Sequence, residues 1–306
     1  MKYYAMTRRS FFKHSVNAAS FAALSGFAGK MGALHSAGGK YHLFSRSFTA
    51  MGFDRLCETA ASAGFDGIEW AVRPARGHII PENVRRDLPL AAAAARKHGM
   101  ENVMLVTSFS RADEPGCGEV FRVAAECGFS KIRTGHQFYD EKRDHKWNLA
   151  RIRSNFDSFA ALGEKTGIQA TFQNHDAWNA TVFGSVVWDL AEATDGVDPR
   201  WMAVQFDVHH CFFQIRSAWM HGFDRVSDRV GSLVLKDGVH SPSGGRRNCP
   251  AGEGKVPFAA FRERMALRNV PQVPFSVHME YYTYKDQPDV VGSMKKELDW
   301  FKGVFG

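Results

Sequence analysis

The chain has 306 residues, 44% of them apolar, enough to bury a sizeable core, which excludes a disordered chain and a small disulfide-stapled scaffold. Its 39 Lys and Arg against 32 Asp and Glu give a net charge of +7, but five of the basic groups (Lys2, Arg8, Arg9, Lys13, Lys30) fall within residues 1–37, where there is no acid. The rest carries only +2, too little for the broad positive surface that a nucleic-acid partner requires.

At the start, Thr7-Arg8-Arg9-Ser10-Phe11-Phe12-Lys13 precedes an uncharged, Ala- and Phe-rich run over residues 15–29. A positive segment before an apolar run too short to span a bilayer is the layout of an export signal. It resembles the twin-arginine signal, departing from it by Phe12 where that pattern has Leu. The competing reading is an amphipathic N-terminal helix that stays attached. The resemblance implies a signal over residues 1–37, export of the folded protein to the periplasm, and a body of 38–306 with no stable membrane insertion. Cys57, Cys117, Cys127, Cys211 and Cys249 form no CxxC pair, so most are expected as small buried hydrophobes.

From Lys40 onward, short apolar runs alternate with longer helical patterns. Strands are predicted at 41–44, 67–71, 102–106, 131–134, 169–174, 202–207, 232–236 and 275–280. Helices are predicted at 54–63, 81–98, 117–127, 147–166, 185–194, 217–227, 258–267 and 288–301. Gly64, Gly99, Gly128 and Gly167 each stop a helix shortly before a strand. Brief, nearly all-apolar strands suit a parallel sheet covered by helices. Eight such units make an α/β fold of the (β/α)8 TIM barrel type, in a single domain after the leader. The stretch 237–255 reads as one long loop after the seventh strand. No GxGxxG or GxxxxGK[ST] opens a helix.

In a barrel of this type the active site lies at the carboxyl ends of the strands. The second strand delivers Glu69, with Arg73 and His78 beyond it, and the fourth delivers Arg133 and His136. The fifth ends in Gln173-Asn174-His175-Asp176, with Trp178 just beyond, and the sixth in Gln205-Phe206-Asp207-Val208-His209-His210. The seventh ends in Lys236-Asp237, and the eighth in His278-Met279-Glu280-Tyr281. Apolar strands that all turn polar at one end are hard to explain by packing, because each buried charge needs a partner.

These segments, together with Gly64-Phe65-Asp66-Gly67-Ile68-Glu69 and Gly252-Glu253-Gly254-Lys255-Val256-Pro257-Phe258, resemble the xylose isomerase-like TIM barrels, which include sugar isomerases, sugar epimerases and endonuclease IV. The resemblance implies one divalent cation (Mn²⁺, Mg²⁺ or Zn²⁺) held by a Glu, an Asp, a His and a Glu after the fifth to eighth strands. The Asp matches Asp207 and the last Glu matches Glu280. Gln173 stands where the first Glu is expected, and Val234 where the His is expected. Gln173, Asp207, His210 and Glu280 are the candidate ligands, with His175, His209 and His278 near enough in sequence to rebuild the site. The competing reading has Asp207 and Glu280 neutralised by Lys236 or Arg133.

The activity implied is isomerisation or epimerisation of a small carbohydrate, begun by taking a proton from carbon beside a carbonyl. Glu280 would be acid/base or ligand, Asp207 a ligand, and Lys236 the electrophile or the base. Glu69, Arg73, Arg133, His175, Trp178, His210 and His278 would bind the substrate. Export argues for an unphosphorylated sugar or keto-sugar. Elimination from a keto-glycoside shares the first step, and a non-catalytic carbohydrate-binding barrel would also lack ligands. An endonuclease IV site needs His at the ends of the second, third and seventh strands, where Glu69, Thr107 and Val234 stand.

Overall fold

Apolar runs too short for helices alternate with amphipathic segments that a glycine stops, and the result is strand after strand returning in one direction. In a computed structural model, which describes residues 39–242, 245–283 and 288–306, eight strands close into a parallel barrel. They are β1 (Tyr41–Phe44), β2 (Gly67–Ala71), β3 (Met104–Val106), β4 (Lys131–Arg133), β5 (Gln169–Gln173), β6 (Met202–Asp207), β7 (Val230–Leu235) and β10 (Phe275–Val277). Closure comes from β1 pairing with both β2 and β10. The expected leader, 1–37, lies outside the described residues.

Helices α1 (Phe53–Ala63) and α4 (His145–Thr166) show why the chain turns where it does. Each ends at a glycine in the left-handed region, Gly64 at φ 97° and Gly167 at φ 73°, a conformation other residues adopt only at a cost. The outer faces of the strands and the inner faces of the helices make one continuous apolar core, with Trp70, Phe121, Phe156, Phe159, Phe206 and Phe258 fully buried in it. All five cysteines are free, and four of them are buried. No described helix is long and apolar enough to cross a membrane.

Two expectations are corrected. The stretch read as a loop over 237–255 contains a hairpin, β8 (Asp237–His240) paired antiparallel with β9 (Arg246–Cys249). Its alternation was masked by short strands rich in Arg and Gly. The helix after β6 begins at once, as α6 (Val208–Ile215), followed by α7 (Trp219–Asp224), rather than at 217. The cause is Asp207, whose Oδ1 accepts from the His210 backbone N–H at 3.0 Å and caps α6. The Asp-x-x-His spacing is therefore the signature of a helix start, and it places His209 and His210 on the first turn of α6.

Candidate active site

At the carboxyl ends of the strands a cavity of about 690 Å³ opens, lined by Arg46, Arg76, His136, His175, Trp178, Arg246, Asn248 and Glu280 among others. That volume suits a small-molecule ligand. Below it lies a buried ionic cluster. The Lys236 ammonium stands 3.0 Å from Asp207 Oδ2, 3.4 Å from Glu280 Oε2 and 2.7 Å from His210 Nε2. Lys236 and Asp207 are sealed from solvent, whereas the Glu280 side chain keeps 20% of its exposure.

Each member is fixed by its neighbours. Asp207 is held at the end of β6 by Asn174, whose Oδ1 accepts from the Asp207 N–H at 2.7 Å while its Nδ2 donates to the Asp207 carbonyl at 3.0 Å. His210 accepts from Lys236 at Nε2 and faces Asp176 Oδ1 from Nδ1 at 2.7 Å, an arrangement that suits the neutral Nδ1–H tautomer. Arg246 grips Asp176 through two hydrogen bonds of 2.8 and 2.7 Å. Glu280 accepts from Arg46 at 3.0 Å and from Asn248 at 3.3 Å.

The charges follow from this packing. Burial alone would push the Asp207 and Glu280 carboxyls up, yet both are held well below the usual range. The groups that oppose burial are His210, Lys236 and His209 for Asp207, and Lys236, His278, His210 and Arg46 for Glu280; of these Lys236 and Arg46 carry the positive charge at neutral pH, because burial lowers the three histidines. Burial, with Lys236 and His175 adding to it, drives His210 well below its ordinary value and leaves it neutral. His136 falls to about 3, by burial first and then by the charges of Arg133, His175, Arg73 and Arg46.

Asp237, next to the cluster in sequence, does different work. Its carboxylate accepts backbone N–H groups from Gly238 at 2.8 Å, Gly252 at 3.1 Å, Gly254 at 3.0 Å and Val256 at 3.2 Å. The Gly252-Glu253-Gly254 segment thus wraps a buried anion, and a Cβ at Gly254 would lie 1.9 Å from Asp237 Oδ1. This anchors the hairpin that carries Arg246 and Asn248 to the cavity.

The expected substrate residues divide. His175 and Trp178 line the cavity, with ring centroids 4.7 Å apart. His210 is buried beneath them, its ring centroid 3.7 Å from that of His175. Glu69 and His278 do not reach the cavity. Glu69 is sealed, with its oxygens taken by Gln205 Nε2 at 2.8 Å and by Ser276, and with His278 Nε2 at 3.4 Å. His278 stacks on Phe44 at 4.3 Å. Arg73 and Arg133 stand over the Phe44 ring, at 5.9 and 5.5 Å from its centroid.

The residues around the cation position that the resemblance implies do not fit a divalent ion. Gln173 turns its amide N–H toward Asp207 Oδ2 at 2.7 Å, while its oxygen accepts from Arg133. Val234, the partner of Asp207 in register, offers no donor atom. The Lys236 ammonium already takes Asp207, Glu280 and His210. Two groups of side chains, His175–Asp176–His210 and Asp207–His209–His210, bring their ligand atoms within 4.8 Å of one another, so a candidate His/Asp metal site does exist. The second shares Asp207 and His210 with Lys236, and in the first Asp176 is already bound by Arg246.

Arg46, Arg76, Asp176, Arg246 and Asn248 were not foreseen as site residues. Arg46 follows the end of β1 and was open to the same strand-end rule. Arg246 and Asn248 ride on the unforeseen hairpin, where only the alternation of Arg246 and Asn248 signalled a shared face.

A closed parallel barrel with its charged cluster at the strands' carboxyl ends defines a class of α/β-barrel proteins with a small-molecule site. The chain belongs to the xylose isomerase-like TIM barrel family, whose model matches residues 57–304. Among curated proteins no sequence matches it. Solved structures share the fold at low identity. One is D-psicose 3-epimerase with D-tagatose from Clostridium cellulolyticum H10, at 12% identity and a TM-score of 0.66, covering 87% of this chain and 99% of that one. Another is D-allulose 3-epimerase from Methylomonas sp. in complex with D-allulose, at 16% and 0.63, covering 87% and 97%. A third is the probable 3-DHS dehydratase AsbF from Bacillus anthracis, at 16% and 0.61, covering 84% and 97%.

Proposed function

We propose that the protein is an enzyme of the sugar isomerase/epimerase type, which moves a proton on carbon beside a carbonyl of an unphosphorylated sugar or keto-sugar, with Lys236 supplying the positive charge. One observation carries the reading: a buried ammonium held by Asp207, His210 and Glu280 directly beneath a cavity of substrate size. The fold shared with two sugar epimerases supports the reaction class. The Arg-Arg leader supports export to the periplasm, where sugar phosphates are scarce substrates.

In the resting site Glu280 is ionised but a weak base, because Lys236 and Arg46 hold its charge. Of the three contacts made by the ammonium, the one to Glu280 is the longest, at 3.4 Å. Lys236 is closed off in the resting site by Glu280, so a substrate carbonyl oxygen reaches that N–H by displacing the Glu280 carboxylate from it. The carboxylate loses its strongest attraction, its basicity rises, and it removes the proton from the neighbouring carbon. Electrons move onto the oxygen, and the enediolate forms against a positive charge already in place. Asp207 has no exposure and cannot touch substrate, so it acts by positioning Lys236. For isomerisation the hydroxyl proton passes from one enediolate oxygen to the other, and Glu280 returns the carbon-bound proton to the adjacent carbon. Inversion needs a second proton carrier, and His175 lines the same cavity.

The test is deuterium incorporation from D₂O into a panel of unphosphorylated sugars and keto-sugars, by chelator-treated protein, with Lys236→Met and Glu280→Gln beside wild type. Exchange that survives chelation and is lost in both variants is the expected result. Exchange that disappears with chelation and returns with Mn²⁺ overturns the role given to Lys236. Sugar binding with no exchange under any condition overturns the enzyme and leaves a carbohydrate-binding barrel.

A further inference from the structure

The cavity and the layer beneath it hold more positive than negative charge. Arg46 is matched by Glu280, Arg246 by Asp176, and Lys236 by Asp207. Arg73 and Arg76 form no ion pair among the described residues, and Arg133 has only the charge of Glu69, beyond the carboxylates already matched and without a direct contact, to set against its own. Arg133 is 6% exposed, and its one side-chain hydrogen bond goes to the neutral Gln173 oxygen. The Arg73 Nε is buried without a hydrogen-bond partner among the described residues. Arg76 lines the cavity and is held at φ 56°, in the left-handed region that a residue other than glycine enters at a cost.

A guanidinium N–H that is buried without an acceptor is costly, because it has lost its water and gained nothing in exchange. Burial and the nearby charges of Arg133 and Arg46 lower Arg73 to about 9, against the weaker opposing pull of Glu69 and Glu280. The same three arginine charges act on His136, which lines the cavity. The unmatched charge therefore reaches the wall where a ligand would lie.

We infer that the substrate is a sugar acid, whose carboxylate is received by Arg73 and Arg76 with Arg133 behind them, while its carbonyl meets Lys236. The planar fork of a guanidinium pairs with a carboxylate through two parallel hydrogen bonds, which a sugar hydroxyl cannot do. The assignment of the carbonyl end rests on the proposed proton transfer; the carboxylate end stands on the arginines alone.

The test measures binding to the whole protein by calorimetry, with three probes that differ only at carbon 6: D-glucuronate, D-glucose and D-glucose 6-phosphate. Glucuronate is expected to bind at least about tenfold more tightly than glucose. The preference should fall toward onefold in Arg73→Met, and severalfold in the exposed Arg76→Gln, which keeps the test valid if the Arg73 variant fails to fold. Equal binding of glucose and glucuronate overturns the sugar acid. Tighter binding of the phosphate ester than of glucuronate overturns the carboxylate, together with the unphosphorylated substrate. Acid-selective binding without proton exchange supports the anion subsite and overturns the proton-transfer reading. Exchange on neutral sugars with no preference for acids does the reverse.

Discussion

Glu69 and Glu280 are both buried glutamates inside one barrel, and their surroundings make them different groups. Glu69 sits in register with Phe44, within the strands, and every contact it makes is to the protein: Gln205, Ser276 and His278. Burial raises its carboxyl, but the hydrogen bond and charge of His278, then Arg133 and Ser276, outweigh this and hold it at about 2. Glu280 lies three residues past the end of β10, in the turn that follows it and above the layer of Glu69. There it faces the cavity and shares its charge with Lys236, Arg46 and Asn248. The lower carboxylate is satisfied and closed, whereas the upper one has contacts that a ligand can take over. Depth along the barrel, not residue type, separates structure from chemistry.

The sharpest way to break this contrast is Lys236→Met. It removes the cation shared by Asp207 and Glu280, so proton exchange is expected to fall about 10³-fold. It also leaves the buried Asp207 carboxylate without its cation, at a cost of about 3–5 kcal/mol in urea unfolding, while Glu280 keeps Arg46. Unchanged stability would mean that the cluster is not the buried ion network described above. For Glu280→Gln, exchange should fall at least about 10²-fold with little change in melting temperature, since the amide keeps the cavity-wall contacts. A large loss of stability here would make Glu280 a second Glu69.

A third buried glutamate sharpens the comparison. Glu297, on α9 (Val290–Phe305), accepts from the Ala251 N–H at 2.9 Å and from the Tyr281 hydroxyl at 2.7 Å, so it anchors the segment next to Glu280. Burial raises its carboxyl to about 7. A folded-state value above the unfolded one means stability that is full at low pH and declines as pH rises from the ordinary carboxyl range to about 7. The decline should be roughly 3 kcal/mol, read as unfolding free energy against pH, and Glu297→Gln should flatten it. A profile identical to wild type would contradict the assignment. The smallest effect is expected from Glu69→Gln, about 1–3 kcal/mol of stability with sugar affinity unchanged. Weakened binding at unchanged stability would put Glu69 in the cavity wall.

The barrel was legible because period and punctuation are local. Apolar runs of strand length, four of them preceded by a helix stopped at Gly64, Gly99, Gly128 or Gly167, place every barrel strand to within a few residues. The strand-end rule brought Asp207, Lys236 and Glu280 together, and the structure joins them through one ammonium. What the sequence hides is depth and orientation. Glu69 and His278 obey the same rule yet sit a layer too low. Asp237 follows Lys236 directly and turns away to hold backbone N–H groups of the 252–256 segment. The spacing of Asp207 and His210 is a helix cap that no single residue type announces. Arg246 and Asn248 reach the cavity on a hairpin whose strands are too short and too polar to stand out.

The proposed chemistry requires the Lys236 ammonium, rather than a metal ion, between Asp207 and Glu280. Anomalous diffraction at the manganese edge from Mn²⁺-soaked crystals tests it most directly. The account predicts no peak within bonding distance of Asp207 and Glu280 in wild type, with density for Lys236 Nζ in contact with Asp207. A strong peak coordinated by those two carboxylates, with the lysine displaced, would contradict it.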